Sequence, residues 1–264
     1  MFTYSATPQS IGKVLDNMFR LYGTTFWKVI WISAGAALIA NLPSLLMPPM
    51  PTDDPEATMA AMRQFLWILP LSMLATLYSY AAILHRMHAV ATGANADLGT
   101  ALRIGLIKLF PLLIASILYL LALAVGLVLL VVPGILLGLS LYFYLPLIVV
   151  DNKGILAALK SSHRLVWGNW WRTATVVAVP MFIIMAFYGI LGLVAGITGV
   201  GIAVGGGGEA EVQRSLETYT LISELAATLF SAFIGPLFAA LLLVQRHDLE
   251  LRREGSDLEA RLAG

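Results

Sequence analysis

The sequence predicts an all-α integral membrane protein of six transmembrane helices, and three observations carry that prediction. Of the 264 residues, 59% are hydrophobic and 12% charged, with a mean hydropathy of +0.86; soluble domains are about half apolar and about a quarter charged. Several apolar runs reach the roughly 20 residues that a helix needs to cross a bilayer. Lysine and arginine, moreover, gather on one side of a six-span layout.

Composition also excludes function classes. There is no cysteine, which removes disulfides, thiolate metal sites and a cysteine nucleophile. The net charge of +1 comes with no basic run and no stacking aromatic cluster, so nucleic acid is not an expected partner. The N-terminus lacks the basic region and short apolar core of a cleaved signal peptide, so insertion is expected to use the first true span. The length suits one bundle, residues 1–245, with a charged tail over 246–264 and no separate soluble domain.

The elements follow in order. Thr7 and Pro8 suit an N-cap and a first helical position. Ile11, Val14, Leu15, Met18, Phe19 and Tyr22 then recur at helical spacing, with Lys13, Asp16, Asn17 and Arg20 opposite. That pattern predicts an interfacial amphipathic helix over about 8–23. The first span covers about 26–46, opened by Trp27, Lys28 and Trp31, residues favoured at the membrane–water boundary. A proline-rich acidic loop leads to a second span over about 65–84, which Thr92-Gly93 closes beyond His85 and His88. A weaker interfacial helix is expected over about 97–107, then spans over about 109–132 and 135–150, with Pro133-Gly134 read as the tight turn between them. The segment 154–167 predicts another interfacial helix: Ile155, Leu159, Ser162, His163 and Val166 share one face, and Lys160, Ser161 and Arg164 point away. Trp170, Trp171 and Arg172 open a fifth span over about 173–199, a glycine-rich loop follows, and the sixth span covers about 221–243. The tail is expected to form a short helix.

With six spans, 14 of the 16 basic residues fall on the side of the termini, and only Arg63 and Arg214 fall opposite. The positive-inside rule then places both termini in the cytoplasm. Shifting the chain by 144 residues lays Ile11, Leu15 and Arg20 over Ile155, Leu159 and Arg164, and Phe26-Trp27-Lys28 over Trp170-Trp171-Arg172. A shift of 87 gives a fainter copy, with Leu15 over Leu102. The expectation is a parallel three-fold repeat, each unit an interfacial helix leading into a hairpin.

Candidate sites are few. Lys13, Arg20, Trp27, Lys28, Lys160, Arg164, Trp170, Trp171 and Arg172 are the expected lipid contacts. Glu224 is the one acid inside a predicted span, with Asn41 as its candidate partner, and an intramembrane carboxylate suggests proton coupling or cation binding. Against that, one turn of depth lets its side chain reach the headgroups, and Asn41 suits a helix-packing hydrogen bond. His85 and His88, which His163 and His247 could join, fall short of a convincing metal set, because imidazole next to arginine at a span's end is more often a solvated interface residue. Each span holds one proline (Pro43, Pro70, Pro111, Pro146, Pro180, Pro236), so kinked helices could enclose a lipid-sized groove or be ordinary tolerated kinks. Gly134 with Gly138, and Gly192 with Gly196, read as close helix contacts. The glycines at 199–208 follow no strand, so they are no nucleotide loop, and no catalytic triad or carboxylate pair appears. Neither an enzyme nor a cofactor is expected.

Pro133-Gly134, Leu145-Pro146, Ala158-Leu159-Lys160-Ser161-Ser162 and Gly168-Asn169-Trp170-Trp171, with Ser10-Ile11-Gly12 through Phe26-Trp27, resemble a bacterial family of multi-pass inner-membrane proteins. That family includes the membrane domain of glycerophosphoryl diester phosphodiesterases and the YciC-like proteins. Asp151-Asn152 departs from the pattern, where an acid followed by small residues is expected. The resemblance implies a bacterial inner membrane but transfers no catalytic residue, since the phosphodiesterase barrel is absent. The functional expectation is a protein that binds or moves lipid; a transporter using Glu224, or a scaffold that meets a protein partner through its tail, are the alternatives.

Overall fold

A computed structural model describes residues 2–46, 54–94, 97–205 and 208–263. The described residues form eight helices and no strand: α1 (Ile11–Leu46), α2 (Pro55–Ala91), α3 (Leu98–Leu129), α4 (Val131–Leu141), α5 (Tyr144–Val149), α6 (Ile155–Val166), α7 (Trp170–Gly205) and α8 (Glu209–Ala263). Five stretches are long and apolar enough to cross a membrane: Ile11–Asn41, Leu98–Leu129, Val131–Val149, Trp170–Thr198 and Val212–Gly255. The segment 65–84 lies within α2.

Several boundaries differ from expectation. α1 begins at Ile11 rather than Pro8, with the Ser10 hydroxyl accepting from the Lys13 N–H at 3.4 Å. Two of the three interfacial helices are not separate elements. α1 runs unbroken for 36 residues, about 54 Å at about 1.5 Å per residue, well beyond a hydrocarbon core of about 30 Å. Its amphipathic first turns are therefore the overhang of a long helix, with Val14, Met18 and Leu21 buried and Lys13 and Arg20 exposed. α3 likewise runs on from its Asp97 cap through the expected joint near 107. α2 starts at Pro55, inside the expected loop, because Asp54 accepts from the N–H groups of Glu56 and Ala57. It closes at Thr92, followed by Gly93 at φ 72°, as its sequence predicts.

The hairpin turn after α3 is Leu130, a single extended residue, and Pro133-Gly134 sit in the first turn of α4. Proline is at home there because that turn's N–H groups lack helical partners anyway. Gly134 is required by packing: a Cβ on it would meet the Leu127 side chain at 2.5 Å, and one on Gly126 would meet the Gly134 Cα at 2.8 Å. Gly138 also packs against Leu123, whereas Gly192 and Gly196 face open space, so only the first glycine pair makes a close contact.

The expected span over 135–150 is broken at Tyr142 and Phe143 into α4 and α5. The broken turn is repaired from outside. The Ser162 hydroxyl on α6 accepts from the Phe143 N–H at 3.0 Å and donates to the Ser140 carbonyl at 2.8 Å. Ser162 is fully buried, so its small polar side chain pins α6 to the break. α7 continues to Gly205 and α8 starts at Glu209, so helix occupies much of the expected glycine-rich loop, with residues 206–207 outside the described set. The tail is no separate helix either; it continues α8.

Candidate functional site

Both chain termini approach one end of the bundle, called here the terminal end. There Phe2 and Tyr4 tuck against α2 and α8 beneath a dense core that includes Met87, Phe143, Leu147 and Leu241–Leu243.

At this end the helices hold charge inside protein. Asp248 on α8 is almost completely buried, and it anchors three elements at once. Its Oδ2 accepts from Arg172 Nη2 at 2.8 Å and from Arg252 Nε at 3.0 Å, and its Oδ1 accepts from the Gln9 N–H at 2.7 Å. Arg172 and Arg252 both donate as well to the Gln9 carbonyl. Beside this cluster Arg246 pairs with Asp151 and, at 3.3 Å, with Glu250. Asp151 thus ties the segment after α5 to α8. Asn152 follows in a left-handed turn at φ 56°, a conformation asparagine tolerates, and accepts from Lys108 Nζ.

Tyr4 joins two of the histidines. Its hydroxyl lies 3.3 Å from His88 Nδ1, and its ring centre lies 4.7 Å from that of His247, whose Nε2–H donates to the Ser5 carbonyl. Burial, reinforced by the charge of Arg246, lowers the His88 pKa to about 4, and burial raises that of Tyr4. His163 lies apart against Trp167, and the described residues contain no group of three metal-ligating side chains.

The expected lipid contacts divide. Lys13, Arg20, Lys28, Lys160 and Arg164 are exposed. Trp27, Trp31, Trp167 and Trp171 are each between 65% and 79% exposed, which puts four indoles on the outside of the protein. Trp170 is half-buried against Trp171. Arg172 is the correction: its guanidinium turns inward to Asp248 and Gln9, so it locks α7 to α8 instead of meeting lipid.

Gly168 sets the turn that presents Trp167. It has φ +92°, which a side chain rarely adopts, while the Trp167 and Asn169 N–H groups close the end of α6 on the His163 and Val166 carbonyls. Between this turn and the continuation of α8 lies a cleft of about 480 Å3, walled by Arg164, Trp167, Asn169, Arg252 and Arg253. A neighbouring cleft of about 270 Å3 shares Arg164 and Arg253 but adds Lys153, Glu250 and Glu254.

Within the bundle, a small and mostly apolar cleft of about 120 Å3 lies between α1, α2 and α8, with Ser33, Asn41, Thr76, Ser79 and Ser231 among its lining residues. It has room for water, not for a lipid. Asn41 donates to the Ala37 carbonyl of its own helix at 2.7 Å. Glu224 is half-buried on α8 and enters no ion pair among the described residues, so the structure does not bring the two together.

Sequence reasoning missed Asp151, Arg246, Asp248 and Arg252. The available signal was a tail rich in both charges, which reads equally as a solvated helix.

Residues 67–245 match a family model described as a domain of unknown function (DUF7847). No solved structure matches.

Proposed function

The chain belongs to the DUF7847 family, a domain of unknown function, and from that premise we propose a non-enzymatic inner-membrane protein that binds lipid or a lipid-like amphiphile. The observation that carries this reading is the outward set of Trp27, Trp31, Trp167 and Trp171 with Lys13, Arg20, Lys28, Lys160 and Arg164. Indoles prefer the headgroup level, and basic side chains beside them attract anionic lipid. Six spans, with α2 as the sixth, put both termini in the bacterial cytoplasm and the basic face against the inner leaflet. In this reading α1, α3 and the α6–α7 pair are three parallel copies of one device. The likeness to the multi-pass family above supports the same placement and brings no activity with it.

Native mass spectrometry of the full chain from a gentle detergent tests the proposal. Retained lipid is expected across several activation energies, and a protein stripped clean under the mildest conditions overturns it.

A further inference from the structure

The non-helical segment from Phe2 to Gln9 crosses the terminal end and is held there in two halves by different chemistry. The second half ends on Gln9, whose N–H is held by the Asp248 carboxylate and whose carbonyl is held by Arg172 and Arg252. The first half meets imidazoles instead. The Tyr4 hydroxyl lies 3.3 Å from His88 Nδ1, the Tyr4 ring packs on that of His247, and His247 Nε2 donates to the Ser5 carbonyl at 2.8 Å. Phe2 is buried edge-on to Tyr4. Between the halves the chain bends at Ala6 and Thr7. The Ser5 hydroxyl closes that bend, accepting from the Thr7 N–H at 3.3 Å and donating to the Thr7 carbonyl at 2.9 Å. The bend therefore joins two anchors that can fail independently.

The first half also keeps water from His88. The gap beneath the segment, walled by Phe2, Tyr4, Val244 and His247 among others, measures about 10 Å3, room for one water at most. The charged and titratable groups that face His88 are Tyr4 from the segment, His85 from its own helix, Arg246 and His247 from α8, and Asp151 from the loop after α5. Burial, and then the charge of Arg246, lower its pKa to about 4; Asp151 pulls the other way but is itself paired with Arg246. A proton on this ring is thus unfavourable while the segment covers it and ordinary once water reaches it. Proton uptake must then favour the uncovered state. His247 donates to Ser5 whether its ring is neutral or charged, so that contact does not itself sense acid.

We propose that the half of the segment from Phe2 to Ser5 is an acid-sensitive lid: protonation of His88 swings it off α2 and α8 about the bend at Ala6 and Thr7, while Gln9 stays locked to Asp248. Opening uncovers His88, His247 and the apolar wall at Val244, and it leaves the rings of Phe2 and Tyr4 on a short tether at the terminal end. The inference does not depend on the lipid-binding reading, so either can fail without the other.

The chain has no cysteine, so Val244→Cys places a lone thiol beneath the lid. Its reaction with dithiodipyridine, a reagent that works in mild acid, is followed on the full chain in nanodiscs. Each rate is taken relative to that of the exposed Lys13→Cys at the same pH. Protection is expected at about pH 7, and a relative rate at least about tenfold higher at about pH 4.5, since opening gains up to about tenfold per pH unit below 6.5. His88→Gln, which keeps an amide able to bond Tyr4, should flatten that rise, and His247→Gln should retain it. Val176→Cys, fully buried on α7, should stay protected throughout, in the parent and in the His88→Gln background, which separates an opened lid from a melted fold. A relative rate that does not change with pH overturns the lid. So does a rise that survives His88→Gln, or a Val176→Cys that becomes reactive together with Val244→Cys.

Discussion

The two halves of α8 are one helix in two environments. From Leu237 to Leu249 nearly every residue is buried, including Gln245, Arg246 and Asp248. Nearer the other end Leu221, Ile222, Leu225 and Leu229 are exposed. The exposed half is as apolar as the buried half, so it needs a solvent other than water, and lipid supplies one. The difference shows where α8 holds its paired charges: not along the outward-facing apolar half, but at the terminal end, where protein surrounds them.

The comparison is broken most directly at Asp248. Asp248→Ala leaves Arg172, Arg252 and the Gln9 N–H without their acceptor, and losing one partner of a buried ion pair costs about 3–5 kcal/mol. A melting temperature in detergent within a degree of the parent would show that the network is ornamental. Next comes Ser162→Ala, which orphans the Phe143 N–H and the Ser140 carbonyl at the α4–α5 break and should cost about 2 kcal/mol. Gly168→Ala forces a side chain into φ +92° with open space around it, so its penalty is conformational, about 1–2 kcal/mol. The same melting assay orders these three.

The pH dependence gives a gentler test. His88 faces Tyr4, His85, His247, Arg246 and Asp151, and it titrates near 4 in the folded protein against the usual 6.5. Between those values the unfolded chain takes up the proton and the folded chain does not, so stability falls as pH drops through that window and His88 adds no slope above it. Comparing His88→Gln with the parent across that window isolates the effect, and identical profiles would remove His88 as its source. The smallest effect belongs to the apolar half, where Glu224→Gln should move stability by less than about 0.5 kcal/mol.

What could be read from the sequence divides along the same line. Apolar runs and helical periodicity reveal the membrane-crossing helices and the buried faces of α1 and α6, because burial in lipid or protein writes directly into hydropathy. Helix continuity is less legible: nothing local distinguishes an overhanging α1 from an interfacial helix followed by a span. Pro133-Gly134 misled because proline serves a first helical turn as readily as a hairpin. The Asp248 cluster was out of reach, since it joins Gln9, Arg172 and Arg252 across 239, 76 and 4 residues. Spacing patterns report neighbours on one helix, not meetings between three.

The claim that the terminal end meets lipid is tested most directly by Trp167, which stands outward beside the α6–α7 turn. A variant in which the other five tryptophans become phenylalanine is placed in vesicles containing lipids brominated either near the headgroup or near the chain end. Expected is strong fluorescence quenching by the shallow bromines and weak quenching by the deep ones. No quenching by either would place this face in water and contradict the assignment.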